Sequence, residues 1–174
     1  MSKKVIRFGL NPKDIDRAIR EINIYKQELQ KKVDTYRKRI ADEIAVYASL
    51  NFDNAMLDDI INGSPTKPDV TVSVDDKGTM TLVIANGEDA VWCEFGAGVY
   101  HNGSVGSSPH PKGSELNLTI GSYGYGYGRQ QSWGYYDDNG NVVITRGTPA
   151  SMPMYNAVQE VTKKAIEIAR EVFG

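Results

Sequence analysis

Apolar side chains recur at Ile15, Ile19, Ile22, Leu29, Val33, Tyr36, Ile40, Ile44 and Tyr47. Steps of three, four and seven put them on one stripe of a helix. Asn11 reads as the N-cap, Pro12 as the first helical residue, and Asp14 and Asp16 as first-turn acids. No proline or glycine interrupts residues 13–61. The spacing predicts a helix of about 40 residues, roughly 60 Å long, more than a domain of this size is wide. Glu28–Lys32 and Asp34–Lys38 are i,i+4 pairs in the favourable order, each contributing roughly 0.3 kcal/mol. The short apolar run Val5-Ile6-Arg7-Phe8-Gly9 ahead of it reads as a strand.

After the loop Asn62–Pro68 the period changes to two. Val70, Val72 and Val74 alternate with polar residues, Asp75-Asp76-Lys77-Gly78 forms a turn, and Met80, Leu82 and Ile84 alternate again. This predicts a β-hairpin with one buried face. Residues 141–145 are a third strand candidate behind the turn Asp138-Asn139-Gly140. From Ser151 or Pro153 to Phe173, Met154, Ala157, Val158, Val161, Ala165, Ile168, Ala169 and Val172 share one helical face. The sum is one α+β domain: a small, mostly antiparallel sheet packed by a long N-terminal helix and a C-terminal helix. Its parts are a strand and long helix (1–61), a hairpin with the block that follows it (69–95), a long Gly/Tyr-rich loop (96–140), and a strand with the last helix (141–174).

The segment Val91-Trp92-Cys93-Glu94-Phe95-Gly96-Ala97-Gly98 is a strand or short helix ending in a glycine turn. Glu94 stands among apolar neighbours. It must be hydrogen-bonded or paired if buried, or else it faces solvent. Downstream come Ser132-Trp133-Gly134-Tyr135-Tyr136-Asp137-Asp138-Asn139-Gly140 and Arg146-Gly147-Thr148-Pro149-Ala150-Ser151-Met152-Pro153-Met154-Tyr155-Asn156-Ala157. These three blocks, in this order behind a long helix, resemble the tail-completion (head–tail joining, minor tail) proteins of long-tailed bacteriophages. That family has an E-F-G-[TA]-G block, a W-x-Y/D-x-x-G stretch and a P-F/M-M-Y-x-A helix start. The matching positions are Trp92, Glu94, Phe95, Gly96, Gly98, Pro153, Met154 and Ala157. Ala97 stands where the family usually has Thr, and Met154 where it usually has Phe; both keep a small or apolar side chain. The resemblance runs from about residue 49 to the C-terminus and leaves the Tyr-Gly insert unmatched. It implies a virion protein, made in the bacterial host cytoplasm, that forms a six-fold homo-oligomeric ring at the head-proximal end of the tail. The implied partners are tail terminator, tail tube or head-connector proteins, with DNA in the channel.

Composition narrows the field further. The 174 residues are 40% hydrophobic and 24% charged, ordinary for a single folded domain. No run approaches the ~18 apolar residues of a membrane span, and no apolar segment follows the basic start to make a secretory signal. A single cysteine, Cys93, excludes an internal disulfide and fits a reducing compartment. The charge is uneven. Residues 1–50 carry 12 Lys/Arg against 7 Asp/Glu, and the remainder 8 against 15. That asymmetry suits head-to-tail contact between copies, or is simply a charged helix surface. Lys31, Lys32, Arg37, Lys38 and Arg39 form either an interface or DNA-facing patch, or a solvated face interleaved with acids.

Strict alternation puts Tyr123, Tyr125 and Tyr127 on one face of an extended segment, which with Trp133 suits contact with a partner. A flexible low-complexity loop is the competing reading. Chemistry is thinly signalled. Cys93 with His101 or His110, oriented by Glu94 or Asp89, would make a nucleophilic dyad. His101, His110 and Glu115 match no usual metal-ligand spacing. No phosphate-binding loop or nucleophile elbow occurs. The expectation is a non-enzyme without cofactor or metal. The alternative class is a nucleic-acid-binding protein using the basic helix and aromatic loop, against which stands the pI of about 5.7.

Overall fold

A computed structural model of the chain describes residues 5–98, 110–112 and 132–174. Helix α1 spans Pro12–Asp53. The Asn11 side chain accepts the Asp14 N–H at 2.9 Å, as its position predicts. At the far end the Asn54 backbone and side chain both return to the Leu50 carbonyl. Residues 5–9 form no strand; among the described residues no strand pairs with them, and an unpaired strand has no ladder to satisfy its backbone groups.

Helix α3, Pro153–Phe173, runs antiparallel along α1. Tyr36 meets Phe173 with ring centroids 5.9 Å apart, Lys164 sits over the Tyr47 ring, and Asn51 donates to the Pro153 carbonyl. Ala41 and Ala48 on α1 and Ala157 on α3 are buried, so small side chains let the two axes approach. Val161 and Ile168 fill the seam. With 21 residues α3 is half as long as α1, which has 42. The part of α1 before Tyr36 therefore extends roughly 35 Å beyond the end of α3.

Strands β1 (Thr71–Asp76) and β2 (Thr81–Asn86) form the expected antiparallel hairpin, with Val72 opposite Ala85 and Val74 opposite Val83. Directly opposed residues share a face. The register thus joins Val72 and Val74 to Val83 and Ala85, and puts Leu82 and Ile84 on the other side. This corrects the predicted β2 face: Met80 and Leu82 are exposed, while Val72 and Ala85 pack on Phe52, Ala55, Ala90 and Cys93. The turn at residues 77–80 fixes the register, and the alternation in β2 alone could not choose between two apolar faces.

Arg37 reaches across from α1 to bond Asp76 and Thr81, and Lys38 bonds Asp76 at 2.8 Å. The Lys38 hydrogen bond, helped by the Gly78 N–H, holds the Asp76 carboxyl down to about 2 from an ordinary 3.8. A depressed carboxyl stabilises the fold above its unfolded value and loses that contribution as pH falls through the folded one. Asp76→Asn is therefore expected to flatten the pH dependence of stability between about pH 4 and 2. Urea midpoints across that range check it; an unchanged slope would remove Asp76 from the acid response.

A second antiparallel pair, β3 (Trp133–Tyr136) and β4 (Val142–Thr145), is separate from the hairpin. The expected single sheet is thus two two-stranded sheets, and β3 lies inside the stretch read as loop. Four residues, one of them Gly134, offer too short a pattern to read. The chain at residues 58–62 serves as a third, irregular strand beside β4. Ile61 N–H bonds the Ile144 carbonyl at 2.7 Å, Arg146 N–H bonds the Asp59 carbonyl, and Asn62 bonds both Val142 and Ile144. Asp58 takes the Tyr135 and Thr145 hydroxyls.

Candidate functional site

Helix α2, Asp89–Phe95, is the short helical form of the Trp92–Gly98 block. Its apolar residues surround one acid, and Glu94 is 8% exposed. The carboxylate accepts three hydrogen bonds. Oε2 accepts the Met154 N–H at 2.8 Å, and Oε1 accepts the Tyr155 N–H and His110 Nε2, each at 2.9 Å. His110 Nδ1 accepts the Lys112 N–H, which places the imidazole proton on Nε2, facing Glu94. The His110 ring lies 4.5 Å from Phe95 and 5.3 Å from Tyr155, centroid to centroid.

This geometry answers a local deficit in the sequence. The first turn of a helix has N–H groups with no partner within the helix. The residue before α3 is Met152, which has no side-chain acceptor and sits at φ 52°. A bulky residue there costs about 1–3 kcal/mol and persists only when its surroundings hold it. Here the Cys93 carbonyl holds it, accepting the Ser151 and Met152 N–H groups. Glu94, some sixty residues away in the chain, then supplies the missing cap. Its charge also favours the positive end of α3. Pro153 occupies the first helical position, where its missing N–H costs nothing.

The glycine turn closes the joint. Ala97 N–H bonds the Thr148 carbonyl at 2.8 Å, and Ala97 is 2% exposed. Gly96 has φ 82° and abuts Ala150; Gly147 has φ 103° and abuts the Ala97 backbone. Met154 packs on the Phe52–Cys93 cluster, and Ala157 is fully buried against α1. All eight residues of the motif blocks are in the described part, and Glu94, Phe95, Gly96, Pro153, Met154 and Ala157 converge on this joint. Trp92 accepts the Gly96 N–H through its carbonyl, and Gly98 sits beside Gly147 at φ 68°.

The Cys93–His110 dyad is not assembled. Cys93 is fully buried, and burial, reinforced by the charges of Asp89 and Glu94, pushes its thiol up to about 12. The reactive thiolate is scarcely populated at neutral pH, and both ring nitrogens of His110 are engaged elsewhere. Asp89 accepts the Asp69 N–H. Native protein is expected to resist thiol reagents until it unfolds; rapid stoichiometric labelling under native conditions would contradict this burial. His101 and Glu115 lie outside the described residues, and among the described residues no His, Cys, Asp and Glu group could hold a metal.

The basic cluster divides. Arg37 pairs with Asp34 and Asp76, Lys38 with Asp76, and Arg39 with Glu171 at 2.6 Å. Lys31 and Lys32 are exposed. Trp133 pairs with Thr145 through its backbone. Tyr123, Tyr125 and Tyr127 lie outside the described residues.

The role of His110 went unread in the sequence, where it was a candidate base or ligand. The missing cap at Met152 was the available signal: a helix opening on Met-Pro needs an acceptor from elsewhere. Among the described residues no helix is long and apolar enough to cross a membrane. A scan of family models, a search of curated proteins and a search of solved structures each returned no match to this chain.

Proposed function

We propose that this chain is a structural protein of a long-tailed bacteriophage virion: a tail-completion component that forms a ring at the head-proximal end of the tail and joins tail to capsid. The observation that carries the reading is the Glu94 joint. Two of the three blocks on which the resemblance rests, Trp92–Gly98 and the one containing Pro153–Ala157, meet through a buried carboxylate and two backbone N–H groups. Such a joint fixes the position of one helix against another and exposes no reactive group. The long α1, with Ile19 and Ile22 each 51% exposed, adds an apolar surface that a neighbouring subunit would cover. The ring, its six-fold order, its position in the neck and its contacts with terminator, tube or connector proteins come from the resemblance.

The nucleic-acid reading gains less from the geometry, because three of the five clustered cations already neutralise carboxylates of their own chain. Extract complementation separates the two. Lysates of a phage lacking this gene should contain filled heads and unjoined tails, and adding the purified protein should restore infectious particles. Normal particles without the gene would overturn the proposal. Tight DNA binding by the purified protein, with a steep salt dependence, would favour the alternative.

A further inference from the structure

Where one copy touches the next can be located, resting on the reading just given. Residues 5–10 precede α1 as an irregular arm. Val5, Phe8 and Leu10 are exposed, Leu10 at 93%. Phe8 and Leu10, two positions apart, fall on one side of an extended chain. A second apolar surface lies on the sheet made by β3, β4 and residues 58–62. Thr145 stands opposite both Trp133 and Ile60, and it is buried. The alternate positions point the other way: Ile61 beside Ile144, and Tyr136 opposite Val142. All four are exposed, Tyr136 at 76%. Gly134, opposite Ile144, adds no side chain to that face and leaves a shallow notch between Ile144 and Tyr136. Arm and sheet are at opposite ends of one rod. Helix α1 has 42 residues and is about 63 Å long, and the sheet begins at Asp58, shortly after its last residue, Asp53. The arm spans at most about 20 Å, so it cannot reach the sheet of its own copy.

We infer that residues 5–10 of one copy lie across the exposed face of this sheet in the next copy, with Phe8 in the notch beside Tyr136. Charge favours this occupant. The arm carries Arg7 and no acid, and Lys3 and Lys4 precede it in the chain. The turn beside Tyr136 and Val142 carries Asp137 and Asp138. Asp137 is held by the amide groups of Asn139 and Asn141, and among the described residues no ion pair engages Arg7, Asp137 or Asp138. Opposite charges left unneutralised in the single copy speed encounter and fix orientation. The contact uses two different surfaces, so it is head-to-tail. It leaves each copy with one arm and one sheet face to offer, and it closes into a ring when the rotation per copy divides a full turn. Stacking of two such sheets face to face would instead stop at a dimer.

Engineered cysteines distinguish these outcomes, because the native Cys93 is buried and its thiol is held up to about 12. Full-length chains carrying Val142→Cys on the sheet are mixed with chains carrying Phe8→Cys or Leu10→Cys on the arm. Mildly oxidised at high concentration, at least one mixture should give a covalent dimer on denaturing gels, and each variant alone should stay monomeric. Disulfide dimers from Val142→Cys alone would overturn the inference in favour of face-to-face sheets, and dimers from an arm variant alone would overturn it in favour of paired arms. Absence of a dimer from both mixtures would also overturn it. A further variant needs no cross-link: Phe8→Asp should weaken self-association by roughly tenfold or more, as the loss of one buried aromatic does. Its helix content and urea midpoint should stay those of the parent chain, and unchanged association would overturn the contact. All of this is read on purified protein. A cross-linked dimer together with failed extract complementation would therefore leave the contact standing and remove the virion role. Restored particles with no cross-link would do the reverse.

Discussion

Glu94→Ala is expected to lower the unfolding free energy by about 3–5 kcal/mol, since each buried donor left without a partner costs about 1–3 kcal/mol and three lose theirs. The three are the N–H groups of Met154 and Tyr155 and the Nε2–H of His110. The losses do not add fully, because the vacated volume admits water. Glu94→Gln keeps the shape but turns an amide NH2 toward donors, so an intermediate loss of about 1–3 kcal/mol is expected. Urea unfolding gives the magnitude. Hydrogen exchange gives the location, with the Met154 and Tyr155 amides accelerating first and the hairpin amides last. A loss under about 1 kcal/mol for the alanine variant would mean that the α3 N-terminus is capped by something else.

Gly147→Ala is the second substitution with a large expected effect. At φ 103° an alanine is strained, and its Cβ would lie 2.5 Å from the Ala97 carbonyl oxygen and 2.9 Å from Gly98 Cα. Strain and overpacking each cost about 1–3 kcal/mol, so a loss of roughly 2–6 kcal/mol is expected. The obstacle is backbone and cannot swing away as a side-chain tip would. Gly140→Ala provides the comparison. It has φ 78° but nothing within 4 Å of the added Cβ, so it carries the strain alone. Equal losses at the two glycines would show that the Ala97–Gly147 approach contributes nothing.

The two long helices were legible because each repeats its apolar residues over many turns and carries a start signal, Asn11-Pro12 for α1 and Pro153 for α3. The hairpin was legible in its turn but not in its inward face, since both faces of β2 hold apolar residues and only the pairing with β1 decides. The second sheet depended on residues 58–62, whose Asp58 and Asp59 were grouped with the long helix and whose Asn62 read as loop, yet they bond to Tyr135, Arg146 and Val142 far along the chain. The same limit governs charge. Lys38 was read with Asp34 on its own helix, yet it bonds Asp76, and Arg39 bonds Glu171. Reversing those cations would therefore damage the fold as well as any contact between copies. At the joint, the odd acid among apolar neighbours was visible in Glu94, and so was its need for partners if buried. Which donors meet it is a matter of tertiary geometry, and no spacing announces it.

The claim at the centre of this account is that the chain sits between head and tail as a ring of identical subunits. Electron cryomicroscopy of the intact virion neck tests it most directly. The account predicts a six-fold ring at the head-proximal end of the tail, its density accommodating the 42-residue α1 with α3 antiparallel along its second half. It also predicts the arm ahead of each α1 lying on a neighbour. A neck fully accounted for by other proteins, with this chain absent from the junction, would contradict it.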